Sequence, residues 1–218
     1  MTDFESTRSA REIGQRALLL GFILSAFELK GQKEKLNAEL VELARPVMQL
    51  SDRELLQRGD WSPEVQRDLL WQLESLAVLL WALGKLPALP GFDTMVEPGL
   101  VVAEIDAMSL GPAGWLESLA LRPPVELDAY NERLAFWLWR SRTPSGNKSE
   151  QWAESVLERG VLRPDEVSEG DAIAWGQPFF RIPPDKQALL GEIVEERCRA
   201  MYWLWRDFDD WWDPILDS

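Results

Sequence analysis

Residues 65–84, VQRDLLWQLESLAVLLWALG, constrain the fold of this chain more than any other stretch. From Leu69 to Leu83 only Gln72, Glu74 and Ser75 interrupt an apolar run. A surface helix has one apolar stripe and one polar face. A helix that is apolar nearly all round needs neighbours on every side. Ser62 and Pro63 offer an N-cap and a first-turn proline, and Gly84 offers a stop. Glu74 shares a face with Leu70, Trp71, Val78 and Trp81, so it is expected to be buried. A buried carboxylate requires a cation or hydrogen-bond donors.

The remaining periodicity is also helical. Thr7 or Ser9 caps a helix reaching about Glu28, with the stripe Ile13, Ala17, Leu20, Leu24 and Phe27. Its apolar run, residues 17–27, is too short to span a bilayer. Residues 33–44 repeat the pattern until Pro46, and Ser51-Asp52-Arg53-Glu54 reads as a capping box. Gly59-Asp60 is a turn. Residues 86–98, rich in proline and glycine, form an ordered crossing loop with Leu86, Leu89, Phe92 and Met95 packed. Short helices follow at 101–108 and 115–121, and a long one at 125–142, where Arg133 and Arg140 share a face. Residues 143–149 are turn-like, and their Gly-x-Lys-Ser lacks the earlier glycine and the strand of a phosphate loop. Residues 151–159 are helical and end at Gly160. Residues 172–182 are the only strand-type stretch, and Gly176 and Pro178 limit it to one short strand or hairpin. A last helix spans 184–205 with the stripe Leu190, Ile193, Arg197, Met201, Leu204 and Phe208. The expected fold is mainly α. It is a single irregular multi-helix bundle, one domain over 1–218, in which helix 63–84 is surrounded by helices 125–142 and 184–205.

Composition narrows the chemistry. The chain has no histidine, which removes histidine-based nucleophile activation, histidine general bases and histidine-containing metal sites. Cys198, the only cysteine, makes no disulfide framework and reads as inert packing in a reducing cytoplasm. The N-terminus is polar and contains acids, unlike a signal peptide. A net charge of −14 disfavours nucleic acid and anionic membrane and favours a basic protein as partner. No cofactor is expected. Asp207, Asp209 and Asp213 form a weak candidate set for a hard cation, without the glycine and glutamate of an EF-hand loop. The plainer reading of that run is a solvated tail anchored by tryptophans. Most of the twelve tryptophans are expected in the core and at its boundary, and several could line a pocket. Arg197 sits mid-stripe on an apolar face. It lies along the core edge with its head in water, or else Arg197, Arg133 or Arg140 meets Glu74 in a buried pair.

Three blocks occur together: Trp71-Gln-Leu-Glu-Ser-Leu with Leu80-Trp-Ala-Leu-Gly84, then Tyr130-Asn-Glu-Arg-Leu-Ala-Phe-Trp137, then Glu195-Glu-Arg-Cys-Arg-Ala-Met-Tyr-Trp-Leu204 with Trp212-Asp213. In this order they resemble the bacterial family known as domain of unknown function 4272, over about residue 10 to the end. The resemblance implies that Glu74, Arg133, Glu196, Arg197, Trp203 and Asp213 form a linked set. With Trp71, Trp81, Trp137 and Arg140 they make up the candidate cluster, structural or lining a pocket. The family's arginine after the first tryptophan is Gln72 here, its histidine is Cys198 and its asparagine is Tyr202. The loss of that histidine favours a structural or binding role over a catalytic one. The expected function is therefore a non-enzymatic cytoplasmic interaction module with an acidic surface. The alternative is an enzyme or small-ligand binder using a tryptophan-lined pocket with Glu74 and Arg197.

Overall fold

The computed structural model describes residues 7–28, 38–57, 62–143, 150–206 and 210–212. The expected turns at Gly59-Asp60 and 144–149, the start of the 33–44 helix, the side chains of Phe27 and Phe208, and Asp207, Asp209 and Asp213 lie outside the described residues. The chain is mainly helical, as its periodicity predicts. It divides into two compact units.

The first unit takes the described residues of Met1–Leu89, Val96–Arg122 and Arg199–Ile215. Its helices are α1 (Ala10–Glu28), α2 (Ala38–Ala44), α3 (Leu50–Gln57), α4 (Pro63–Ala82), α5 (Pro98–Leu110) and α6 (Pro112–Glu117). Ser9 caps α1. Its hydroxyl accepts the Glu12 N–H at 3.2 Å, and the Glu12 carboxylate accepts the Ser9 N–H at 2.8 Å. Ser62 caps α4, and Gly84 ends it in the left-handed region at φ +68°. Residues 74–82 of α4 are all buried, as the all-round apolar sequence requires.

The nearest neighbour of α4 in this unit is α1. Its sequence reads as a single stripe, yet residues 13–21 are buried without interruption, so α1 is a second central helix. Glycines make that possible. A Cβ on Gly14 would lie 2.2 Å from the Leu119 side chain, and one on Gly21 would lie 3.3 Å from the Met108 sulfur of α5. The capping carboxylate of α3 is Asp52 rather than Glu54. The helix starts at Leu50, and Asp52 reaches back to the Gln49 N–H at 2.8 Å. Met95, expected to pack, is exposed.

The second unit contains Pro90–Met95 and Pro123–Cys198. It holds α7 (Pro124–Arg142), α8 (Glu150–Glu158) and most of α9 (Pro184–Leu204). A small antiparallel sheet separates α8 from α9 in sequence: β1 (Val167–Ser168), β2 (Asp171–Ala174) and β3 (Gln177–Pro178), in the order β1-β2-β3. Ser168 pairs with Asp171, and Ala174 pairs with Gln177. Two-residue turns join the strands, Glu169-Gly170 at φ 53° and 75° and Trp175-Gly176 at φ 48° and 74°. Both central residues have positive φ, the turn that matches the twist of a hairpin. Gly176 therefore makes the turn instead of breaking a strand, and Pro178 closes an edge strand where no ladder N–H is required.

Candidate functional site

In the first unit, Glu74 is 1% exposed and its carboxylate accepts the Val96 N–H at 2.6 Å. Gln72, on the same helix, accepts the indole N–H of Trp211 at 2.8 Å. Trp81 lies 5.0 Å beneath the Arg122 guanidinium, which also donates to the Trp81 carbonyl at 2.7 Å. Trp71 is half-buried. Trp203 carries the Arg8 guanidinium over its ring at 4.2 Å.

A buried ionic centre that the sequence did not single out lies between α1 and α3. Arg16 and Asp52 are both fully buried, with Nη1 2.7 Å from Oδ2. The second Asp52 oxygen accepts the Trp212 indole N–H at 2.7 Å. The Arg16 guanidinium lies 4.4 Å over the Trp211 ring and 5.9 Å over the Trp212 ring. Burial pushes Arg16 below its ordinary pKa, opposed by the charge and hydrogen bond of Asp52. The signal was present in sequence: Arg16 directly precedes the apolar run of α1. Trp211 is fully buried.

In the second unit, four of the predicted residues surround two phenylalanines. Arg133 and Arg197 lie 5.7 and 5.9 Å from the Phe92 ring, and Arg140 lies 4.5 Å from the Phe179 ring. Trp137 packs against both rings, at 6.1 and 6.2 Å, and among the described residues its buried indole N–H meets no acceptor. Arg140 forks onto Asp171, and Arg133 forks onto Glu166. Burial raises the pKa of Glu166, but the Arg133 hydrogen bond and charge and the Arg163 N–H outweigh it and hold the carboxyl below the ordinary range.

Arg197 is fully buried, so its head is not in water. It donates to the carbonyls of Pro90, Gly91 and Thr94 at 3.0, 3.1 and 2.9 Å. An arginine used this way braces a loop whose carbonyls have no ladder to join. Glu196 is half-buried, and Cys198 is buried and forms no disulfide. Among the described residues no group of three acids or cysteines could hold a metal ion, and no helix is long and apolar enough to cross a membrane.

The surface of this unit has a groove of about 410 Å³ between α7 and α8. Ala135, Phe136 and Trp139 of α7 face Val156 of α8 and Val161, with Glu132 and Arg159 at the rim. Trp139 is 41% exposed, although it sits in one of the most apolar stretches of the chain.

No curated protein and no solved structure matches the chain. A family model described as "Domain of unknown function (DUF4272)" matches residues 2–159. The matched span includes the blocks at 71–84 and 130–137 and stops short of the block at 195–213. With more than half of its length matched, the chain belongs to the DUF4272 family.

Proposed function

We propose that the chain is a non-catalytic, cytoplasmic protein-interaction module and that the α7–α8 groove receives a basic, amphipathic helix of a partner. The carrying observation is the groove, with its exposed Trp139, aliphatic floor and charged rim. Exposed aromatic residues in a concave apolar surface are the usual anchors of a helix-in-groove contact. Glu132 and Arg159 pair at 3.5 Å and offset each other, which leaves exposed Glu154 and Glu158 on α8 to set the local sign. The net charge of −14 carries the same preference to longer range.

The enzymatic alternative has less support. A catalytic centre needs titratable groups converging on open space. Here Arg140, Arg133 and Arg16 are committed to carboxylates, Arg197 to carbonyls, and Glu74 to an amide N–H. Immobilised full-length protein, exposed to lysate of the source cell at low and moderate salt, tests the proposal. A stoichiometric basic protein, retained at low salt and lost as salt rises, is expected. Absence of any retained protein at low salt contradicts it.

A further inference from the structure

The setting of Trp211 has a consequence separate from the groove. Its backbone N–H donates to Gln49 Oε1 at 2.9 Å, and its carbonyl accepts from Arg199 Nη1 at 2.8 Å. Its indole N–H donates to Gln72 Oε1 at 2.8 Å. Arg16 covers one ring face at 4.4 Å, and Trp203 meets the ring edge-on at 5.5 Å. These contacts address every feature that distinguishes tryptophan as an amino acid: α-nitrogen, α-carbonyl, indole N–H and ring face. A buried residue outside any ladder needs partners for its backbone groups, and here all of them are long polar side chains rather than backbone. Arg16 adds a second sign. It is fully buried, yet among the described residues its Nε–H and Nη2–H have no acceptor. Those same two nitrogens on Arg140 hold the Asp171 carboxylate. Buried donors left unpaired are costly, and they mark a place where an anionic group would be favoured.

We infer that this socket is a binding site for an indole α-amino acid carboxylate, with Trp211 as its resident and displaceable occupant. A ligand in the place of Trp211 keeps the Gln49 and Gln72 bonds and presents Arg199 with a carboxylate instead of a neutral carbonyl. The bond to the carbonyl is already charge-assisted on the arginine side, and a carboxylate adds a full opposite charge and the option of a two-bond fork. Free tryptophan and the C-terminal tryptophan of a peptide share this chemistry.

The test uses the full chain with Trp211→Gly, which removes the indole anchor so that the backbone at 211 can leave Gln49 and Arg199 to a ligand; it is titrated with L-tryptophan, glycyl-tryptophan, tryptophanamide, indole and L-phenylalanine and read by melting temperature and calorimetry. L-Tryptophan should raise the melting temperature and bind about tenfold tighter than tryptophanamide or L-phenylalanine, the effect of one good polar contact. Tighter binding of glycyl-tryptophan than of L-tryptophan would identify a peptide as the source, and the reverse would identify the free amino acid. Equal effects of indole, L-phenylalanine and L-tryptophan would mean that any apolar group fills the hole, and would overturn the site. In parallel, wild-type protein labelled with 5-fluorotryptophan reports the Trp211 fluorine resonance, assigned with Trp211→Phe. Excess L-tryptophan should shift or broaden that resonance. A resonance left unchanged overturns displacement, whether or not the glycine variant folds.

Discussion

Arg140 and Asp171, 31 positions apart, meet through a two-bond fork, with Nε 2.8 Å from Oδ1 and Nη2 2.7 Å from Oδ2. Asp171 also accepts the N–H groups of Ala172 and Phe180, at 2.9 and 2.8 Å. One carboxylate thus ties α7 to β2 and to the turn after β3. Its removal strands a buried guanidinium and two amides. Asp171→Ala should lower unfolding free energy by about 3–5 kcal/mol, measured by urea denaturation. A loss below about 1 kcal/mol would mean that the fork adds little.

Glu74 tests the same logic in the first unit. A buried charged acceptor on a backbone N–H contributes about 1.5–3 kcal/mol. Glu74→Gln should lower the melting temperature clearly, while the same change at exposed Glu97 should hardly move it. Equal small shifts would contradict the structural role given to Glu74.

The depressed pKa of Glu166 gives a pH dependence with a definite sign. A folded value below the ordinary 4.5 means that the unfolded chain takes up its proton first as pH falls. The stabilisation is therefore complete above 4.5 and is lost as pH drops through the folded value. The stability gap between wild type and Glu166→Gln, followed from neutral to acid pH, should be constant at first and then close. A gap that widens in acid would reverse the sign.

Gly176 isolates a backbone effect. A Cβ there meets nothing within 4 Å, but φ is +74°. Gly176→Ala should cost about 1–2 kcal/mol from the left-handed conformation alone. A neutral result in denaturant melts would show that the turn relaxes freely.

Much of this architecture is legible in the sequence because helices announce themselves locally. Ser62-Pro63 and Gly84 bracket α4, and its lack of a polar face predicts the burial of Glu74. What could not be read are pairings at long range. Nothing in the sequence near Arg140, Arg133 or Arg16 indicates Asp171, Glu166 or Asp52, which lie 31, 33 and 36 positions away. The sheet is harder to read for another reason. Gly176 and Pro178 look like breakers until Trp175-Gly176 is taken as a two-residue turn. A single stripe along α1 hides Arg16, although the residues after it are apolar on every side. The acids expected near a cation site lie outside the described residues. Of the tail tryptophans, only burial and bonding distinguish Trp211 as a held residue.

The claim that the exposed groove binds a partner while the buried charges serve the fold is tested most directly by one comparison. Wild type and Trp139→Glu are immobilised at equal density, and retention of the basic partner is measured at low salt beside each protein's melting temperature. Trp139→Glu should keep its melting temperature and lose the partner. Full retention by a folded Trp139→Glu variant would contradict it.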